Sequence, residues 1–150
     1  MKATKYLAAM TTAATLAAVS LNSCTLETSS AGKFDGMWHL TRVDTIATGG
    51  VLDLSEQRIF WSFQFKLMQA EDKNGVERTV LMRYSKGDGT LTLSSPYAYD
   101  RDNGDEPLSS PALLKPFGIN ETEEEFQVNS INGSKMQLQS KTLKLSFKKF

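Results

Sequence analysis

Two side chains that could act in catalysis, Cys24 and His39, are the only ones of their types in the 150 residues. A Ser-His-Asp site would have to use His39, and a metal site built from several histidines is excluded. His39 follows Trp38 in an alternating segment, which predicts that its ring faces solvent. The sequence therefore provides neither a convincing catalytic set nor a histidine metal cluster.

Carboxylates are the other groups that could bind a cation or act in hydrolysis, and they cluster in Asp100–Glu106. Hard cations prefer such oxygen ligands. The calcium-loop pattern places Asp or Asn fifth and Gly sixth, whereas Gly104 and Asp105 stand at those places. The spacing favours a solvated loop, and we expect no metal, no cofactor and no enzymatic activity. A hydrolase that uses His39 or these carboxylates is the less favoured alternative.

The segment that precedes Cys24 predicts export and lipidation. Residues 1–23 carry two lysines near their start, Lys2 and Lys5, continue as an alanine-rich apolar stretch and end in a small serine, which is the pattern of a secretory signal peptide. The string Leu21-Asn22-Ser23-Cys24 resembles the lipobox of bacterial lipoproteins, which implies cleavage after Ser23 and acylation of Cys24, for example with palmitate. Because two or three acyl chains hold a protein tightly, we expect a lipoprotein anchored in the outer membrane of a cell envelope, on its periplasmic or its surface side.

The chain after the predicted cleavage point divides into a tether and one domain. Residues 24–33 are small and polar, as in a flexible linker, and residues 34–150 are enough for one domain with one core. After Ser23 the chain carries 17 acidic and 15 basic residues, so its net charge is near −2. That balance, with no basic patch evident in the sequence, argues against nucleic acid as a partner.

Alternation of apolar and polar residues, with turn residues between short runs, predicts an antiparallel all-β domain. In the strongest predicted strand, Arg58–Gln69, every second residue is large and apolar: Ile59, Trp61, Phe63, Phe65 and Leu67. Tight turns are predicted at Lys73–Gly75, Lys86–Gly89 and Asn132–Gly133. Seven or eight strands in up-and-down order avoid exposed edges by closing into a barrel.

The interior of this barrel is predicted from the alternating apolar positions. The residues expected inside are Trp38, Trp61, Phe63, Phe65, Phe126, Val128, Leu138, Leu143, Leu145 and Phe147. All four prolines of the chain lie in Ser95–Asn120, which predicts a long loop there because proline is excluded from central strands. One helical turn is expected within that loop, at Pro111–Lys115.

At Gly36-Met37-Trp38 the chain resembles the lipocalins, whose first strand begins with Gly-x-Trp. Residues 34–150, including the closing string from Met136, are similar to the lipocalin-like domains of small lipoproteins from Gram-negative bacteria. The resemblance implies that Trp38 plugs one end of the barrel. Lipocalins place an arginine from late in the chain over this tryptophan, and the last strand offers only Lys144 or Lys148 at that place.

The predicted barrel and the resemblance together suggest a binding protein. A barrel of about eight strands holds either packed side chains or one small ligand. If it holds a small apolar or amphipathic ligand, the Ser95–Asn120 loop forms the rim or lid, and the predicted contacts are Trp38, Trp61, Phe63 and Phe65. If side chains fill it, the domain is a protein-interaction module, such as an inhibitor or a subunit of an envelope complex. Asp44-Thr45-Ile46 also resembles a short O-glycosylation acceptor of exported proteins.

Overall fold

Strand β1 (Gly36–Thr45) pairs with neighbours along both of its edges, and this double pairing closes the sheet. The computed structural model describes residues 30–150. One edge of β1 pairs with the last strand, from Trp38 opposite Lys149 to Thr45 opposite Leu143. The predictions for the signal peptide, for Cys24 and for the tether as far as residue 29 lie outside the described residues.

Ten strands make up the sheet, and eight of them close into a barrel. The strands after β1 are β2 (Val51–Asp53), β3 (Ile59–Gln64), β4 (Leu67–Asp72), β5 (Val80–Lys86), β6 (Thr90–Ala98), β7 (Glu106–Pro107), β8 (Glu124–Ile131), β9 (Lys135–Gln139) and β10 (Leu143–Lys149). The closed antiparallel ring has the order β1-β3-β4-β5-β6-β8-β9-β10, which confirms the predicted up-and-down barrel. The two short strands, β2 and β7, add to the edges of β1 and β6.

The two openings of the barrel differ in what covers them. We call the opening where β1, β4, β6 and β9 begin the entry end, because the described chain enters there, and the opposite opening the far end. The tight turns predicted at Lys86–Gly89 and Asn132–Gly133 are confirmed at the entry end, where they join β5 to β6 and β8 to β9. The turn at Lys73–Gly75 follows β4, but the chain becomes a strand again only at Val80.

Nine of the ten residues predicted inside the barrel belong to its core or pack against it. Val128 and Leu143 are half-buried against the core, and the fully buried members are Trp38, Trp61, Phe63, Phe126, Leu138, Leu145 and Phe147. Met68, Ala70 and Met82 complete the middle of the core. These residues alternate with polar ones along each strand because successive side chains of a strand point to opposite faces.

The prediction for Phe65 is wrong, because Arg58–Gln69 is a hairpin and not one strand. Phe65 and Lys66 form the two-residue turn between β3 and β4, and Phe65 has a left-handed φ of +54° and is 65 % exposed. Across the turn Gln64 pairs with Leu67, so inward positions are odd before the turn and even after it. Leu67 is consequently exposed and Met68 is buried.

The folded part begins before the predicted boundary at residue 34. Ala31 is buried in the core, and Gly32–Phe34 forms a 3₁₀ turn that leads into β1. Residues 30–33, which the sequence analysis assigned to the tether, therefore belong to the domain. Within residues 30–150, no helix has the length and apolar character needed to cross a membrane.

Candidate functional site

Trp38 closes the entry end of the barrel. Its indole N–H donates to the carbonyl of Phe34 at 2.8 Å, which holds the 3₁₀ turn over the opening. The ammonium of Lys149 lies 4.9 Å from the centre of the Trp38 ring and donates to the carbonyl of Asp35 at 2.5 Å. Lys149 thus takes the place over the tryptophan, where the sequence pattern had offered only Lys144 or Lys148 as candidates.

Trp61 occupies the middle of the barrel, where aromatic rings surround it. The ring centres of Phe147, Phe126 and Phe63 lie 5.0, 5.8 and 6.4 Å from that of Trp61, and the Phe126 ring meets it edge-on. Such distances are those of direct aromatic contact. Of the four residues predicted to contact a ligand, Trp38, Trp61 and Phe63 belong to the same buried core, whereas Phe65 is exposed at the β3–β4 turn.

The segment between β6 and β8 fills the far end of the barrel instead of standing over it as a rim. Leu114, Phe117 and Ile119 are all fully buried, and the indole N–H of Trp61 donates to the carbonyl of Phe117 at 3.1 Å. The helical turn predicted at residues 111–115 exists and continues as a 3₁₀ turn over Lys115–Phe117. The burial of these three apolar residues was not predicted, because their spacing follows neither a strand nor a helix period.

This packing leaves no room beside the two tryptophans. Trp38 and Trp61 are both 0 % exposed, so neither borders solvent or a space that a water molecule could enter. In the part of the chain that the structure describes, every buried polar side-chain atom has a hydrogen-bond partner. The interior is therefore filled by the side chains of the protein itself.

Polar side chains line an open groove of about 720 Å³ on the outside of the far end. The outer faces of β8 and β9, the loop before β8 and the turn before β10 form its walls. The residues that give it its chemical character are Glu121, Glu123, Glu125, Gln127, Gln139 and Lys141. Thr45, the candidate modification residue, is half-buried at the border of the groove. The groove was not predicted from the sequence.

Glu124 joins the floor of this groove to the loop that fills the barrel. Its carboxylate accepts hydrogen bonds from the backbone N–H groups of Asn120, at 2.7 Å, and of Glu121, at 3.4 Å. Burial raises the pKa of Glu124 above its ordinary value, while these two hydrogen bonds and one from Ser140 act to lower it. Glu124 therefore fixes the end of the loop at the floor of the groove.

Comparisons with known proteins identify the family. The model of the lipocalin-like domain family matches residues 17–150. The chain belongs to the lipocalin-like family. A lipocalin-like protein from Bacteroides uniformis has 21 % identity and a TM-score of 0.60, and the match covers 79 % of this chain and 100 % of that one.

A second solved structure shows the same fold. It is an uncharacterized protein from Bacteroides eggerthii with 21 % identity and a TM-score of 0.56, and the match covers 78 % of this chain and 99 % of that one. No curated protein matches the chain. At this identity the two structures establish the lipocalin-like fold and leave the function to be argued from the site.

His39 has a structural role in this lipocalin-like domain. Its Nε2 lies 2.6 Å from the carbonyl oxygen of Gln57, and its ring packs against that of Phe60 with centres 5.0 Å apart. The ring of Phe150 meets that of Phe60 edge-on, with centres 5.3 Å apart. These contacts hold β1, β3 and the C-terminal residue together on the outside of the barrel.

The Asp100–Glu106 run forms a loop that satisfies its own polar groups. Asp100 accepts hydrogen bonds from Asp102 and Asn103, and the bonds from Asn103 hold the pKa of this carboxyl below its ordinary value. Asp105 accepts from the backbone N–H of Asp100. Across residues 30–150, no three side chains of His, Cys, Asp or Glu lie close enough to share a metal ion.

Proposed function

We propose that this protein is a lipoprotein, anchored in the outer membrane of the cell envelope through acylated Cys24, whose barrel binds another protein on its outer surface. The observation that carries the binding mode is the filled interior. The indole N–H groups of Trp38 and Trp61 each donate a hydrogen bond to a backbone carbonyl of the chain. The buried ring of Phe117 occupies the volume where an internal ligand would lie. A filled barrel favours the protein-interaction alternative over the carrier of a small apolar ligand.

The lipocalin-like family also favours a function in binding, since its members are generally non-enzymatic. In this chain the single histidine contacts a backbone carbonyl and a phenylalanine ring, so no described carboxylate or hydroxyl is oriented by it. We therefore propose a non-enzymatic role.

The groove at the far end is the proposed contact surface. Exposed Glu121, Glu123 and Glu125 stand there beside amide and hydroxyl groups, with Lys115 and Lys141 as the only basic side chains of its lining. The partner segment that fits this surface is polar and carries positive charge, because complementary charge speeds association and excludes partners of like charge. A volume of about 720 Å³ would accept a few residues of such a segment.

Site-specific photo-crosslinking in the native envelope tests the groove. A photoreactive residue replaces Gln127, which lies in the groove, or Gln64, which is also an exposed glutamine but lies at the entry end. We expect the photoreactive residue at position 127 to give one discrete protein adduct, and the residue at position 64 to give no such adduct. The adduct at position 127 should disappear when Glu125→Lys reverses one charge of the groove. An adduct that forms only from position 64 would refute the groove as the contact surface.

Native mass spectrometry of the purified protein provides the complementary measurement. We expect the mass of the lipidated chain and of a partner complex, with no additional small molecule. A stoichiometric apolar compound that is retained after purification would refute the filled barrel and restore the carrier hypothesis.

The anchor has its own test. We expect mass spectrometry of the membrane fraction to find Cys24 as an acylated N-terminus. The Cys24→Ala chain should no longer resist extraction by an alkaline wash. Its persistence in the washed membrane would contradict anchoring through this residue.

A further inference from the structure

Basic side chains that are far apart in the sequence converge on the entry end of the barrel. Seven of the 15 basic residues in the described chain lie there: Lys33, Lys66, Arg83, Lys86, Lys135, Lys148 and Lys149. Only two of the 16 acidic ones, Asp35 and Asp88, lie there with them. The net charge is thus +5 at the entry end and −6 over the rest of the barrel. No basic patch is evident along the sequence, because the fold alone brings these residues together at one end of the barrel.

Among the residues that the structure describes, no ion pair neutralises the positive charge at the entry end. The salt bridges among the described residues join Arg42 to Asp44, Lys73 to Glu71 and Arg78 to Asp100, and all three lie toward the far end. At the entry end, Lys86 and Lys149 donate to the backbone carbonyls of Ser30 and Asp35, which carry no net charge. All seven basic residues at this end are exposed.

An exposed aromatic residue stands among these charges. Phe65 at the β3–β4 turn is 65 % exposed, and its neighbour Leu67 is 46 % exposed. Two hydrogen bonds fix the turn, since the hydroxyls of Ser30 and Tyr84 both donate to the carbonyl of Phe65, at 2.7 and 2.5 Å. An exposed aromatic ring surrounded by cations is typical of surfaces that lie at a membrane interface.

The same turn lies where the described chain begins. Ser30, which contacts Phe65, is six residues after Cys24, and six residues span at most about 20 Å. An acylated Cys24 would therefore hold the entry end, and not the far end, close to the lipid. This step rests on the proposed anchor.

We propose that the entry end docks on a membrane surface that contains anionic lipid. Phe65 enters the headgroup region while the seven basic side chains lie over the lipid phosphates. Each basic residue near such a surface strengthens binding about fivefold. In this orientation the acidic groove at the far end points away from the membrane, toward a partner.

The test follows the environment of single positions in the lipidated chain reconstituted in vesicles. An environment-sensitive dye is attached to Phe65→Cys or, as a matched control, to Leu52→Cys, an exposed apolar residue on β2 toward the far end. Neutral phosphatidylcholine vesicles are compared with vesicles that also contain phosphatidylglycerol. We expect the emission of the dye at position 65 to shift to the blue on vesicles with anionic lipid, and on no others. The dye at position 52 should show no such shift. At 1 M salt the shift at position 65 should disappear while the protein stays bound to the vesicles through its lipid.

Charge variants make the measurement quantitative. The double variant Lys66→Gln and Lys148→Gln should lower the ratio of docked to undocked protein on anionic vesicles roughly 25-fold, which is about fivefold for each lysine. The same change at Lys115 and Lys141, in the groove, should alter the ratio less than about twofold because screening weakens charges at that distance. An unchanged emission at position 65 on anionic vesicles, or equal effects of the two pairs, would overturn the proposal.

Failure of the anchor is seen separately in this experiment. A chain without acylation would take up two dye molecules, one of them on Cys24, and would not float with neutral vesicles. The comparison of anionic with neutral vesicles would then still report on the entry end itself.

Discussion

The indole N–H of Trp61 donates to the carbonyl oxygen of Phe117, 3.1 Å away and 56 residues further along the chain. This bond ties a central strand of the barrel to the segment that fills its far end. Both residues are buried, so loss of either group would leave its partner without a hydrogen bond away from water, which is costly. The filled interior is therefore fixed by a polar contact as well as by apolar packing.

Phe117→Ala should open the barrel. Removing a fully buried aromatic ring costs about 3–5 kcal/mol of unfolding free energy and leaves an apolar cavity. Such a cavity stays dry and accepts a small apolar molecule. We expect urea unfolding to show the loss, and benzene to raise the unfolding temperature of the variant but not of the wild type. Phe65→Ala, which removes an exposed ring, should change stability within about 0.5 kcal/mol and gain no benzene site. Equal benzene binding by the wild type would contradict a filled barrel.

Gly118→Ala should be the more damaging of two matched glycine substitutions. Gly118 and Gly104 both have left-handed φ, +82° and +93°, so an alanine costs roughly 1–2 kcal/mol of backbone strain at each. At Gly118 the new Cβ would also lie 2.8 Å from a methyl group of Leu145, whereas at Gly104 nothing lies within 4 Å. Crowding of this kind adds about 1–3 kcal/mol. Equal losses in urea unfolding would show that the loop does not press on β10.

The barrel was predictable from the sequence because its strands alternate regularly and most of its turns carry glycine or asparagine. The β3–β4 hairpin was not, since its turn residues, Phe65 and Lys66, include neither Gly, Asn nor Pro. Phe65 also continues the odd-numbered apolar series of Trp61 and Phe63 by one more place. Nothing in the sequence therefore marked the point at which the inward side of the hairpin changes.

The entry end and the plugging loop depend on proximity in space that a linear sequence does not display. Lys33 and Lys149 are 116 positions apart, yet both stand at the same opening because the first and last strands of the barrel pair. Phe117 follows Pro116 in a segment without periodic pattern, so its burial depends on the barrel that encloses it. The chemical character of each residue could be predicted from the sequence. The grouping of the basic residues at the entry end and the burial of Phe117 in the far end could not.

Lys149→Ala should destabilise the entry end by about 1–2 kcal/mol. The substitution removes both the ammonium 4.9 Å from the Trp38 ring centre and the hydrogen bond to the Asp35 carbonyl. Lys149→Arg keeps the positive charge and should recover most of this loss. Lys148→Ala, at the exposed neighbour, should stay within about 0.5 kcal/mol of the wild type. Equal unfolding midpoints for the two alanine variants would show that the contact over Trp38 does not stabilise the fold.

Glu124 should give the domain a stability that depends on pH. Burial raises its pKa, so between the ordinary carboxyl value and the raised one the folded chain binds more protons than the unfolded chain. The contribution of Glu124 is then fully present below the ordinary pKa and is lost as the pH rises through the raised one. The loss is about 1.4 kcal/mol for each pH unit between the two values.

Glu124→Gln removes this titration while keeping a side chain that can accept hydrogen bonds from Asn120 and Glu121. The unfolding free energy of the wild type, relative to that of the variant, should therefore fall as the pH is raised from about 4 to 7 in parallel urea titrations. Glu125→Gln removes the carboxylate of the exposed neighbour and is the matched control for the loss of one negative charge. If the unfolding free energies of the wild type and of Glu124→Gln change in parallel with pH, the pKa of Glu124 is the same in the folded and the unfolded chain. Burial at the start of β8 would then not raise it.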